Sequence, residues 1–168
     1  MITSNINLGK EVYIEKDSNV NNINIGDYTK IASNVRLFGS AENILEVGTN
    51  CYFGINSIVE GFNAKVKIGN YVSFAQNVNL MSGSGPNASP KLQQIFPIIK
   101  GDVIIGDHTW IGASVVIMPN VSIGKFCVVA ANSFVNSSFS DYSIIGGTPA
   151  KLIRKLTQIE INNIENND

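Results

Sequence analysis

Apolar residues recur along most of the chain at intervals of six, each followed by a small residue. The pairs are Ile25-Gly26, Ile31-Ala32, Val47-Gly48, Phe53-Gly54, Ile68-Gly69 and Phe74-Ala75, then Ile105-Gly106, Ile111-Gly112, Ile123-Gly124 and Val129-Ala130. A fixed short period marks a solenoid built from stacked units. Taken three at a time, the hexads place apolar residues at 8/14/20, 25/31/37, 47/53/59, 68/74/80, 105/111/117 and 123/129/135. The residue after the first apolar position is Gly9, Gly26, Gly48, Gly69, Gly106 and Gly124, six glycines in six triplets. After the second stand Glu15, Ala32, Gly54, Ala75, Gly112 and Ala130, nearly all small; after the third stand Asn21, Phe38, Glu60, Met81, Met118 and Asn136, with no limit on size. Three sides obeying three rules predict an all-β triangular solenoid of about six coils with 18 residues per turn. Two of its corners need small residues, for an unusual backbone conformation or for a close approach.

Residues two before each apolar position form further columns: Ile6, Ile23, Leu45, Val66, Val103, Val121, and Val12, Thr29, Cys51, Val72, Thr109, Cys127. Residues two apart on a strand share a face, so both columns point inward. Apolar spacings of three and four, which a helix requires, are missing from residues 1–136. Cys51 and Cys127 lie three coils apart, about 14 Å at a strand spacing of about 4.8 Å, too far for a disulfide. Three columns to the outside, Tyr28, Asn50, Tyr71, His108 and Phe126 follow the first apolar position by three and predict an outward, largely aromatic stack.

The pattern is stretched slightly between Leu37 and Val47 and between Val59 and Ile68. A long excursion at about 82–102 holds SGSGPNASPKLQQIFPIIKGD. A long loop leaving a rigid repetitive scaffold is read here as functional rather than as a tolerated insertion. The β-helix is therefore assigned to residues 1–136 and a C-terminal segment to 137–168. In the latter, Leu152, Ile153, Leu156 and Ile159 suggest a short helix from Ala150 to about Ile164, capping the open end and followed by a frayed tail.

The charge content limits the chemistry. Among 168 residues there are 12 Lys+Arg, 13 Asp+Glu and one His, a net charge of -1. No basic field points to nucleic acid or an anionic membrane as partner. A single His excludes a metal site built on two or three imidazoles, and with it the zinc chemistry of a three-His site. No apolar run nears the roughly 18 residues of a membrane span. MITSNINLGK lacks a hydrophobic signal core, so the chain reads as cytoplasmic. No outward column forms the Thr ladder of an ice-binding solenoid.

The stretch IGDHTWIGASVVIMPNVSIGKFCVVAANSFV, followed by YSIIGGTPAKLIRKL, resembles the left-handed β-helix hexapeptide-repeat acyltransferases, in particular the small acetyltransferases that act on sugars and xenobiotics. The resemblance implies a left-handed coil, a homotrimer, acetyl-CoA as donor and active sites between neighbouring subunits; that no metal is expected follows from the single His. By motif, Trp110 would lie beside the pantetheine arm. Gly112 and Ala130 would keep the corner narrow, and Ala113 and Ala131 would offer backbone groups to the arm. Lys151 and Arg154 would face the nucleotide phosphates by charge-assisted hydrogen bonds. Asn56, in FGINS, matches the family's partner asparagine and would orient the acceptor; the alternative is an ordinary turn asparagine. Members carry a His in the loop after the fourth coil, but here that loop reads Ser82-Gly83-Ser84-Gly85-Pro86-Asn87. His108 is then the one candidate base, and its aromatic column offers a purely structural role instead.

A sugar hydroxyl gains roughly 10²–10⁴-fold from general-base help, whereas an amine needs far less. The expected activity is acetyl transfer from acetyl-CoA to a hydroxyl or amine of a sugar or nucleotide-linked sugar. The missing loop His moves the expectation toward an amino sugar. A second reading stays open: a catalytically silent β-helix trimer that binds a carbohydrate or a protein partner.

Overall fold

The computed structural model describes residues 4–166. The chain winds into a left-handed parallel β-helix, with strands stacked as three parallel sheets. The first sheet runs from Ile6–Leu8 to Ser122–Ile123, the second from Tyr13–Ile14 through Trp110–Ile111 to Val128–Val129 and beyond, and the third from Asn19–Asn21 to Phe134–Val135. The columns read from the sequence are true neighbours. Ile23 lies beside Leu45, Phe74 beside both Phe53 and Ile111, and Leu80 beside both Val59 and Ile117. Their side chains fill the prism, and the rings of Phe53 and Phe74 stack at 4.9 Å.

Polar residues in the interior are satisfied by the next coil. The buried Thr29 hydroxyl donates to the Gly48 carbonyl and accepts from the Cys51 N–H; Thr109 does the same with Gly124 and Cys127. No buried side-chain polar atom among the described residues lacks a partner. Cys51 and Cys127 are buried, free thiols, and burial raises the pKa of both.

The glycine column answers to close approach. A Cβ on Gly26 would stand 2.7 Å from the carbonyl carbon of Gly48, and one on Gly48 2.5 Å from the oxygen of Gly69. None of the six has a positive φ; the left-handed conformation falls two residues later, on side chains. At the first corner it is taken by Glu11, Tyr28, Asn50, Tyr71, His108, Phe126 and Tyr142, and at the second by Asn34, Asn56, Asn77, Ser114 and Asn132. Asparagine tolerates this region better than most residues, which accounts for much of its abundance here.

Two expectations for the C-terminal region are corrected. The coils do not stop at Asn136. Val135 is followed four residues later by Phe139, which bridges to Ile123, and Ile144 and Ile145 pair with Val128 and Val129. The coil is shortened by two residues but continues. The helix expected from Ala150 begins only at Gln158. Ala150–Lys155 is instead a strand that turns back on Ser143–Gly147 and ends the second sheet. An unpaired sheet edge offers this segment hydrogen bonds that an isolated helical turn cannot match. The helix Gln158–Glu165 starts at a capping box in which Thr157 accepts from the Glu160 N–H and Glu160 accepts from the Thr157 N–H. Of the expected frayed tail, Asn167 and Asp168 lie outside the described residues, as do the first three residues of the N-terminal stretch.

All three departures from the hexad pattern leave at the third corner, between the third and first sheets. The first two form short bulges near residues 40–44 and 61–65. The third has a two-stranded antiparallel neck, Gly83–Ser84 with Ile99–Lys100, and carries the one-turn helix Pro90–Gln93. Leu92, Ile95, Phe96 and Ile99 stand exposed on it.

Candidate active site

The predicted site residues divide between corners and faces. Trp110 lies on the outward face of the second sheet and is 56% exposed. It is in register with Ser73 and Val128, then through Ile144 with Arg154 on the terminal strand; Lys151 pairs with Gly146 at the same end. Gly112, Ala113, Ala130 and Ala131 form the adjoining second corner. There, among the described residues, the N–H groups of Ala113 and Ala131 find no acceptor and no donor reaches the Ala131 carbonyl, while the Ala113 carbonyl accepts from the Asn132 N–H. The equivalent residues one and two coils below are Gln76 and Ile55, whose side chains are far larger. Only at the last two coils does a methyl group leave this edge of backbone open. A Cβ on Gly112 would press within 2.7 Å of the Ala131 nitrogen. Trp110 and the small-residue corner are therefore one continuous surface.

The two cationic residues differ. Arg154 is held by both Glu160 oxygens, at 2.7 and 2.9 Å, which raises its pKa. The Glu160 carboxyl is pushed down to about 2, first by the Arg154 hydrogen bond and then by the Thr157 N–H. Among the described residues Lys151 has no such partner.

Asn56 and His108 are not brought together. Asn56 occupies the second corner, where its amide oxygen accepts from Asn34 at 2.8 Å and its nitrogen donates to Asn77 at 3.2 Å. His108 occupies the first corner, on the other edge of the second sheet. Its ring lies parallel between Tyr71 and Phe126, at 4.7 and 4.6 Å, and Tyr142 extends the stack. The rung geometry read from the column is the one observed. Sequence reading overlooked the asparagine ladder, although Asn34, Asn56, Asn77 and Asn132 share one column. The excursion loop leaves from the third corner, which lies across the prism from the second sheet. Within one chain, Trp110 and the root of the loop are thus on opposite sides.

The sequence of residues 102–137 matches the family model described as bacterial transferase hexapeptide (six repeats). That match falls on the coils carrying Trp110 and the open corner, and it agrees with the repeat columns. The chain carries the hexapeptide repeat of bacterial transferases. Relatives named as acetyltransferases agree. A galactoside O-acetyltransferase of Lactococcus lactis subsp. lactis is 33% identical, over 65% of this chain and 55% of that one. A probable macrolide acetyltransferase of Lysinibacillus sphaericus is 42% identical, over 46% of this chain and 42% of that one. The chain spans about half the length of the curated relatives it matches. Among solved structures, AntD, an N-acyltransferase from Bacillus cereus in complex with dTDP and 3-hydroxybutyryl-CoA, superposes with a TM-score of 0.80 at 25% identity, covering 94% of this chain and 86% of that one. Within this hexapeptide-repeat fold no described helix is long and apolar enough to cross a membrane, and the described residues hold no cluster of three metal-ligating side chains.

Proposed function

We propose that the protein is an acetyl-CoA-dependent acetyltransferase whose acceptor is an amine of a sugar or nucleotide-linked sugar, working as a cytoplasmic homotrimer. The observation that carries this reading is the open backbone edge at Ala113 and Ala131 beside the exposed Trp110. The pantetheine arm has two amides, and the free N–H and C=O groups supply their hydrogen-bonding complements without a side chain in the way. Lys151, lacking an ion-pair partner, is the better placed cation for the phosphates, and Arg154 would have to exchange Glu160 for them.

The acceptor nitrogen attacks the thioester carbonyl, the C–S bond breaks, and coenzyme A leaves as the thiol once it takes up the proton shed by nitrogen. Backbone N–H groups would hold the oxyanion. The choice of an amine rests on where the bases stand: the loop has no His, and His108 is a stacked rung at the first corner, across the second sheet from the backbone edge of Ala113 and Ala131. Solved relatives fit this chemistry, since AntD variants have been seen with dTDP-4-amino-4,6-dideoxyglucose and coenzyme A. Beyond its two asparagine contacts Asn56 keeps one amide hydrogen and one oxygen lone pair, and a positioning role would use these. Because the loop and Trp110 lie on opposite sides of one chain, a site using both takes them from two copies.

A coenzyme-release screen over amino sugars, nucleotide-linked amino sugars and simple glycosides tests this directly. The expected result is release with amines, unchanged in His108→Ala. Calorimetry showing no binding of acetyl-CoA at millimolar ligand would overturn the transferase reading. Binding of acetyl-CoA without release across the panel would favour the silent carbohydrate- or protein-binding trimer, to which the missing loop His also points.

A further inference from the structure

The helix needs no insertions to close its coils, yet three successive coils carry one, and all three leave at the third corner. They are tied to one another rather than splayed into solvent. Ser40 and Asn43 close the first bulge on itself, the Asn43 side chain donates to the Phe62 carbonyl in the second, and the Lys65 N–H donates to Asp102 at the end of the third. The buried Ser82 at the loop root accepts from the Asn63 and Ala64 N–H groups and donates to Glu60. The result is a cavity of about 390 Å³, within the range of small-ligand pockets.

Its lining has a definite chemistry. Phe62 is 59% exposed, an aromatic ring left open beside polar groups. Asn43 and Asn63 each direct their amide nitrogen inside the protein, to the Phe62 carbonyl and to Glu60, and among the described residues no donor reaches their oxygens. Glu42 and Lys100 also line the cavity, and neither forms an ion pair; the one salt bridge among the described residues is that of Arg154. The lining therefore offers acceptors in excess, one cation and one aromatic face. A phosphate would meet a carboxylate and a single Lys, a poor balance, and an apolar ligand would strand the amide oxygens. Hydroxyl or ammonium donors around a ring with a C–H face match what is there.

We propose that this third-corner cavity is a carbohydrate-binding site, taking a pyranose against Phe62 with its hydroxyl or amino groups toward Asn43, Asn63 and Glu42. Within one chain the site lies across the prism from the acetyl-CoA surface proposed above, and its binding of free sugar does not require the coenzyme. It lies at the root of the excursion loop.

Titrating the full chain with methyl glucoside and with glucosamine, followed by backbone amide resonances, tests the proposal. Both sugars should shift residues 40–43, 62–63 and 100. Phe62→Ala should weaken both by roughly five- to tenfold, and Glu42→Gln should weaken glucosamine alone by roughly two- to fivefold. Acetyl-CoA affinity, measured in parallel, should stay unchanged in both variants, which separates this result from the fate of the transferase reading. No shifts at these residues with either sugar, shifts confined to the Trp110 face, or an unchanged affinity in a folded Phe62→Ala would overturn the proposal.

Discussion

At single residues, the decisive constraint is how closely one turn of backbone lies on the next. The corner glycines have ordinary φ values but no room for a methyl group, because backbone of the following coil, joined at Gly9, Gly69 and Gly124 by an aspartate side-chain oxygen, already lies there. Backbone cannot swing aside as a side chain can, so the cost is one of overpacking. Gly48→Ala should lower unfolding free energy by about 2 kcal/mol or more. Gly61 lies on the same scaffold, but its nearest neighbour would be Val66 at 3.4 Å; Gly61→Ala should stay within about 1 kcal/mol of the parent. Denaturant titration of both variants checks the contrast, and equal effects would refute close approach as the reason for the column. The need for small residues was legible from six stacked glycines. Their cause was not, because a positive φ and a tight contact leave the same trace in composition. The same limit applies to the site: His108 could be read as a rung because Tyr71 and Phe126 share its column, but the open N–H groups of Ala113 and Ala131 depend on which donors the corner leaves unused.

Among the elements, the C-terminal hairpin and helix show where periodicity misleads. Leu152, Ile153, Leu156 and Ile159 suit a helix by spacing, but residues 150–155 lie against an open sheet edge that spacing cannot reveal. The actual helix start was written in the chain as Thr157-x-x-Glu160, a capping signature. Glu160 serves both that cap and Arg154, and its pKa falls from 4.5 to about 2. A carboxyl with a depressed folded pKa stabilises its element above its ordinary value and loses that contribution as pH drops through the folded one. The helix Gln158–Glu165 should therefore be fully formed at neutral pH and loosen between pH 4.5 and about 2. Carbon chemical shifts of these residues follow the change, and Glu160→Gln should reproduce it at neutral pH. Shifts that hold steady down to pH 2 would remove the Glu160 contacts from the stability of this helix.

For the molecule as a whole, the triangular section sets what one copy can do. A face and the corner opposite it never meet across the packed core of Ile, Leu, Val and Phe, so the Trp110 surface and the excursion loop can share a substrate only between two copies. The repeat made the prism legible, whereas the placement of the loop followed from assigning each insertion to a corner. Complementation decides whether the proposed transferase site is shared. One variant carries Trp110→Ala, the other a loop shortened between Gly85 and Ile98, beyond the paired neck. Each should lose coenzyme release when expressed alone. Co-expressed in equal amounts in a cyclic trimer, they should recover activity at about a quarter of the sites, those where an intact Trp110 face meets an intact neighbouring loop. A site contained within one copy would recover nothing, since every chain in the mixture carries one defect.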